Sequence, residues 1–236
     1  MKQNPLEKPS LKLESKTMKI ITTTEPAVPA QYLAEKILAK LKNGKKVLWF
    51  ITGGSSIPVQ ILAGNIIAKH PHQNLTVTLS DERFGEVGHK DSNWQKTMDG
   101  GFNLPQAKLI PVLTGDTRDN TVAHWNTALK EELASADYKI GLIGIGPDGH
   151  VSGILPRTEA VEAQEMAHGY TTDNFERITT TPTAITKLDE VATFIQGEAK
   201  WPVVKDLDEK EIALSDQPAQ ILKQVPEFTI FTDYQK

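Results

Sequence analysis

Apolar residues recur along this chain in two alternating patterns, one with helical spacing and one typical of covered strands. Ala30, Leu33, Ala34, Ile37, Leu38 and Leu41 fall at intervals that predict a helix, and Asn43-Gly44 supplies its stop. The continuous apolar run Val47 to Ile51 follows, reading as a strand buried on both faces. With a first strand around Met18 to Thr22, this makes a β-α-β opening. The alternation then repeats. Gly53-Gly54-Ser55-Ser56 leads through Pro58 into an apolar helix carrying Val59, Leu62 and Ile66, and Leu75 to Leu79 forms the next strand, closed by Asp81-Glu82-Arg83. Val122, Trp125, Leu129 and Leu133 mark an amphipathic helix, and the run from Tyr138 is expected to be a strand ending at His150. Val191 to Ile195 and Phe228 to Phe231 read as further strands, the second reached through a short helix opened by Pro218. Residues 1–17 mix Pro, Lys and Glu without periodicity, so a flexible tail is expected there. The fold class predicted for residues 18–236 is α/β: a single three-layer α/β/α domain with a Rossmann-like, mostly parallel sheet.

Composition narrows the classes of function. The 236 residues are 39% hydrophobic and 24% charged, an ordinary globular balance. A formal net charge of -4 argues against a nucleic-acid partner, yet leaves room for a few local cations around a small anion. With no cysteine, disulfides, thiolate nucleophiles and cysteine-ligated metals are excluded, and a reducing cytoplasm fits. The segment Met1 to Ser10 lacks the apolar core of a secretory signal, and Val47 to Ile51 is the longest internal apolar run. A soluble, cytoplasmic protein with no membrane partner is expected.

In a parallel sheet the strands ending near Thr52, Ser80 and Gly144 finish at one edge, where open α/β folds bind substrates. Gly53-Gly54-Ser55-Ser56, between strand and helix, suits a phosphate through backbone N–H groups and the helix dipole; a tight turn with a serine N-cap explains it equally well. Asp81-Glu82-Arg83 places three charges at a strand exit, which solvated loop charges also explain. Gly144-Ile145-Gly146-Pro147-Asp148-Gly149-His150 presents an acid and an imidazole after a glycine-rich exit, making His150 the leading catalytic candidate. The same run satisfies G-x-G-x-x-G. A dinucleotide site is set aside, because Gly153 and Pro156 break any helix that should follow and no strand ends in an acid about 20 residues later. His70 and His72 are expected at a helix end without further metal ligands, and His89, His124 and His168 at the surface or in loops. Lys200 and Arg177 read, on pattern alone, as surface cations.

Taken together, five ordered blocks resemble the 6-phosphogluconolactonases, within the larger group that includes the glucosamine-6-phosphate deaminases. They are Gly53-Gly54-Ser55-Ser56, Asp81-Glu82-Arg83 with Asp91-Ser92-Asn93, Gly144 to His150, Arg177-Ile178-Thr179, and Gly197-Glu198-Ala199-Lys200. Arg83 and the ending Pro218 to Asp233 resemble the lactonase branch. The chain departs from the family in Ser55-Ser56-Ile57-Pro58, one residue longer than Ser-Thr-Pro, and in Ser152-Gly153-Ile154-Leu155-Pro156, so no role passes to Ser152. The resemblance implies the fold shared by NagB, RpiA and CoA transferases, and a δ-lactone of 6-phosphogluconate as substrate. It implies His150 as general base, Asp148 orienting the imidazole or the sugar hydroxyls, and Arg83 holding either the oxyanion or the phosphate. Gly53, Gly54, Ser55 and Ser56 with Lys200 and Arg177 would hold the phosphate, and Asp81, Glu82 and Asn93 would complete the substrate site. No metal or cofactor is implied, and a monomer or homodimer is expected. Two alternatives stand: an aminosugar-phosphate deaminase or isomerase, and a non-catalytic sugar-phosphate sensor.

Overall fold

In the computed structural model, which describes residues 17–235, β1 (Thr17–Thr22) runs through α1 (Ala27–Lys42) to β2 (Val47–Ile51), and α2 (Ile57–Ile67) leads to β3 (Leu75–Leu79). There follow β4 (Asp81–Arg83), α3 (Asn93–Asp99), β5 (Lys108–Ile110), α4 (Arg118–Ser135) and β6 (Tyr138–Leu142). The chain continues through β7 (Ala167–Thr171), β8 (Glu176–Thr180), α5 (Pro182–Ile185), β9 (Glu190–Ile195), α6 (Trp201–Glu209) and β10 (Glu227–Thr232). Of the tail expected over residues 1–17, all but the last residue lies outside the described residues.

Seven strands join in the order β1-β10-β9-β6-β2-β3-β5, and every pairing in that sheet is parallel. Helices flank it, as the alternating pattern predicts. Burial on both faces explains the continuous apolar runs, since every residue of β2 and β9 is buried. Successive side chains point to opposite faces, so Trp49 and Phe50 fill different layers, with Trp49 set against Phe102 at 5.7 Å. At the amino-terminal edge the buried Glu190 carboxylate accepts hydrogen bonds from the Tyr32 and Tyr138 hydroxyls and from Lys36 Nζ at 3.0 Å. Burial, then that carboxylate, raises both phenols above the usual tyrosine range.

Two expectations need correction. The strand from Tyr138 ends at Leu142, and a turn rather than a strand carries the chain on to His150. Asp81-Glu82-Arg83 does not close a strand as a loop: it forms β4, edge of a second, antiparallel sheet ordered β4-β8-β7. The short helix expected after Pro218 is present, as a 3-10 helix over Pro218–Gln224.

Connections run from β2 to β3 and β5 on one side of the large sheet, and from β6 to β9 and β10 on the other. The carboxyl ends of β2 and β6 therefore flank the switch point where connections diverge, the place an open parallel sheet offers a ligand.

Candidate functional site

A cleft of about 220 Å³ opens at that switch point. Its walls come from the loops after β2, β6 and β9 and from the small sheet, and they include Gly53, Gly54, Ser55, Ser56, Asp81, Arg83, Asn93, His150, Arg177 and Lys200. Two residues singled out in the sequence, Glu82 and Asp148, do not line it.

The loop after β2 is held by Gln60, which is completely buried on the first turns of α2. Its Oε1 accepts from Thr52 N at 3.0 Å, while Nε2 donates to Thr52 O at 2.9 Å and to Thr97 Oγ1 at 2.8 Å. Gly54 adopts φ 67, a left-handed conformation that suits glycine, and a 3-10 turn over Gly54–Ser56 leads into α2. Ser56 lines the cleft immediately before Ile57, which sets the positive end of the α2 dipole there.

Glu82 builds the opposite wall from behind. Alternation along β4 turns Asp81 and Arg83 to the cleft and Glu82 away from it, fully buried. Its carboxylate accepts from Arg83 N at 2.8 Å, Asn93 N at 2.6 Å, Trp94 N at 3.0 Å and Ser92 Oγ at 2.8 Å. Burial pushes this carboxyl above the usual range, opposed by those four bonds to the charged form. Asn93, so placed, accepts from Arg83 Nη1 at 2.7 Å and donates to Asp81 O at 3.0 Å. A Cβ on Gly53 would lie 2.0 Å from Asn93 Oδ1, so only glycine lets these walls meet. His89, expected as a loop residue, uses Nε2 to hold Arg83 O at 3.0 Å.

After β6 the chain turns on itself: Gly149 N donates to Gly146 O at 3.1 Å and Gly146 N to His150 O at 3.0 Å. The imidazole packs on the bare face of Gly146, where a Cβ would lie 2.0 Å from Cε1. His150 Nδ1 meets Asp148 Oδ1 at 2.6 Å. A carboxylate only accepts, so Nδ1 carries the proton and Nε2 remains free to act on a ligand. That bond holds the Asp148 carboxyl below its usual range, against the opposing effect of burial. No helix follows Gly149: Val151 bridges to Ile145 and Ile154, as the rejection of a dinucleotide motif requires.

Lys200 is half-buried and its ammonium has no hydrogen-bond or ion-pair partner among the described residues; burial lowers its pKa. Its turn is clamped by Asp233, which accepts from Gly197 N at 3.0 Å and Trp201 Nε1 at 2.9 Å. Arg83 and Arg177 likewise lack a carboxylate within ion-pair reach among the described residues, and both lie over the Phe175 ring, at 5.4 and 5.6 Å. Phe175 and Asp233 were not singled out in the sequence. The signal for Phe175 is a lone aromatic in the polar stretch Thr171-Thr172-Asp173-Asn174. Ser152, given no role, lines the cleft at 5% exposure with φ 52.

The other histidines lie apart from this cleft. His72 is not at a helix end but buried in a loop, Nδ1 donating to His70 O at 2.7 Å and Nε2 accepting from Gln106 N at 3.2 Å. His168 is in β7, stacked on Tyr170. Among the described residues no group of three or more His, Asp or Glu is placed to hold a metal, and no helix is long and apolar enough to cross a membrane.

The parallel order and the cleft at its switch point define an open α/β protein whose ligand place lies at the carboxyl edge of the sheet. The family profile described as Glucosamine-6-phosphate isomerases/6-phosphogluconolactonase matches residues 26–230, and the chain belongs to that family. It is 26% identical over 230 residues to the probable 6-phosphogluconolactonase 4, chloroplastic, of Oryza sativa subsp. japonica, covering 86% of this chain and 70% of that one. The crystal structure of a 6-phosphogluconolactonase from Shewanella baltica OS155 superposes with a TM-score of 0.76 at 19% identity, covering 93% and 99% of the two chains. A monomeric glucosamine-6-phosphate deaminase gives 0.75 at 20% identity, covering 91% and 97%. The fold is thus common to both branches.

Two substitutions test how the walls are held. Gln60→Leu strands the Thr52 N–H and carbonyl, so it is expected to cost about 3 kcal/mol, read as a lower urea midpoint at unchanged slope. Gly53→Ala must displace Asn93 and loosen Arg83; a folded protein with roughly tenfold weaker phosphate binding by calorimetry is expected.

Proposed function

We propose that this protein hydrolyses 6-phospho-D-glucono-1,5-lactone to 6-phosphogluconate. The observation that carries the reading is a single cleft holding both an Asp148-tied imidazole with a free Nε2 and three cations that lack a carboxylate partner among the described residues. The names of curated relatives, uniformly 6-phosphogluconolactonases among the most similar, favour this branch over the deaminases.

His150 Nε2 takes a proton from water as its oxygen bonds to C1. The carbonyl electrons move onto oxygen, then return as the C1–O5 bond breaks, and the imidazolium gives its proton to O5. Asp148 keeps Nδ1 protonated and stabilises the imidazolium. Lys200 and the Gly53–Ser56 turn receive the phosphate, and Arg177 and Arg83 of the small-sheet wall add positive charge to the same group. Asp81 and Asn93 are placed to meet sugar hydroxyls, whereas Glu82 acts only through Asn93 and Arg83. Holding the remote phosphate orients the reacting carbonyl.

Acid release from freshly made lactone, corrected for spontaneous opening, tests the reaction. His150→Ala is expected to lower turnover about a hundredfold or more; near-normal turnover, or ammonia release from glucosamine-6-phosphate in place of lactone hydrolysis, would overturn the proposal. Lys200 attracts phosphate only while charged, and its lowered pKa means that charge is lost at a pH below the ordinary lysine value. Affinity for 6-phosphogluconate should therefore fall as pH rises toward that value, and Lys200→Met should remove this alkaline decline.

A further inference from the structure

Arg83 and Arg177 stand directly opposite each other in the antiparallel β4–β8 ladder. Like charges in that position repel and weaken a sheet. Among the described residues each Nε is buried without an acceptor, and only Nη1 of Arg83 is tied, to Asn93 Oδ1 and Asp91 O. A ladder that works against itself in this way marks a place kept for a ligand.

What the two guanidinium groups share is one ring. Phe175 presents it from the turn between β7 and β8, with Arg83 Cζ 5.4 Å and Arg177 Cζ 5.6 Å from its centroid. The turn is fastened on itself: Thr172 N donates to Phe175 O at 2.8 Å, and Phe175 N donates to Thr172 Oγ1 at 3.1 Å. Arg118 of α4 braces both strands beside it, bonding Thr171 Oγ1 and Glu176 Oε1 at 2.9 Å each. The turn that carries the ring is therefore held in place by contacts that involve neither arginine. The ring's negative face attracts both cations, offsets part of their repulsion and keeps water from one side of each.

We propose that Phe175 is a positioning residue that holds Arg83 and Arg177 as a two-cation seat, so that both act together on one doubly charged phosphate. The choice of phosphorylated ligand rests on the function proposed above; the seat itself rests on the geometry. Removing the ring leaves two mutually repelling, mobile guanidinium groups. Adding a hydroxyl at its edge keeps the ring and leaves the seat intact.

Phe175→Leu and Phe175→Tyr separate the ring from its bulk. Titration calorimetry with inorganic phosphate and with 6-phosphogluconate is expected to show about tenfold weaker binding for Phe175→Leu and binding within about twofold of wild type for Phe175→Tyr. In the lactone assay KM should rise with the loss of the ring by more than kcat falls. In thermal melts at matched ionic strength, phosphate should raise the wild-type midpoint above the chloride control, and raise Phe175→Leu less. Unchanged phosphate affinity in Phe175→Leu overturns the proposal, as does an equal loss in both variants, because the ring is then not the cause. A protein whose phosphate binding follows this pattern but which does not hydrolyse the lactone overturns the proposed reaction and leaves the role of Phe175 standing.

Discussion

The Glu82 carboxylate, sealed between β4 and the start of α3, fixes one entire wall of the cleft. Three backbone N–H groups and a serine hydroxyl converge on it, so the first turn of α3 cannot shift without stranding a buried charge. Asn93 inherits its position from that carboxylate, and Arg83 inherits its own from Asn93. The facing wall is cut to the same template, since Asn93 occupies the space that a side chain at Gly53 would need. Loops forty residues apart in sequence thus meet as matched surfaces, and the polar groups of the cleft are set before any ligand arrives.

The electrostatics of the cleft oppose those of the molecule. The chain as a whole is acidic, at -4, yet Arg83, Arg177 and Lys200 share the cleft with Asp81 and none has a carboxylate within ion-pair reach among the described residues. Each unpaired cation costs stability, Lys200 visibly so through its lowered pKa. The seven-stranded core supplies the stability against which this local cost is carried, as enzymes commonly trade it for a prepared site.

Much of this was legible before coordinates. The parallel sheet announces itself through Val47–Ile51 and Val191–Ile195, because strands buried on both faces must be apolar throughout. Once those strands are parallel, their exits share an edge, and that geometry gathers Gly53, His150 and Lys200 from distant parts of the chain. The second sheet was not legible: β4 has three residues, all charged, and β7 is mostly small and polar, so neither carries the apolar signal of a strand. That omission also misplaced Glu82. Had Asp81-Glu82-Arg83 been read with a period of two, the middle residue would have faced away from its neighbours. Phe175 escaped notice because its partners come from three segments that only the small sheet unites, and His72 because its hydrogen bonds reach a loop more than thirty residues away.

The sheet order carries a consequence for how the molecule is made. Among the described residues β1 borders only β10, and the register joins Met18 to Phe228. During synthesis β1 therefore waits through roughly two hundred further residues before its partner β10 exists. Closure of that margin is the final weave of the sheet, and the same late-arriving segment, through Asp233, locks the lysine turn at the mouth of the cleft. Nascent chains halted ahead of β10 have their glycine turns and imidazole but not a finished pocket.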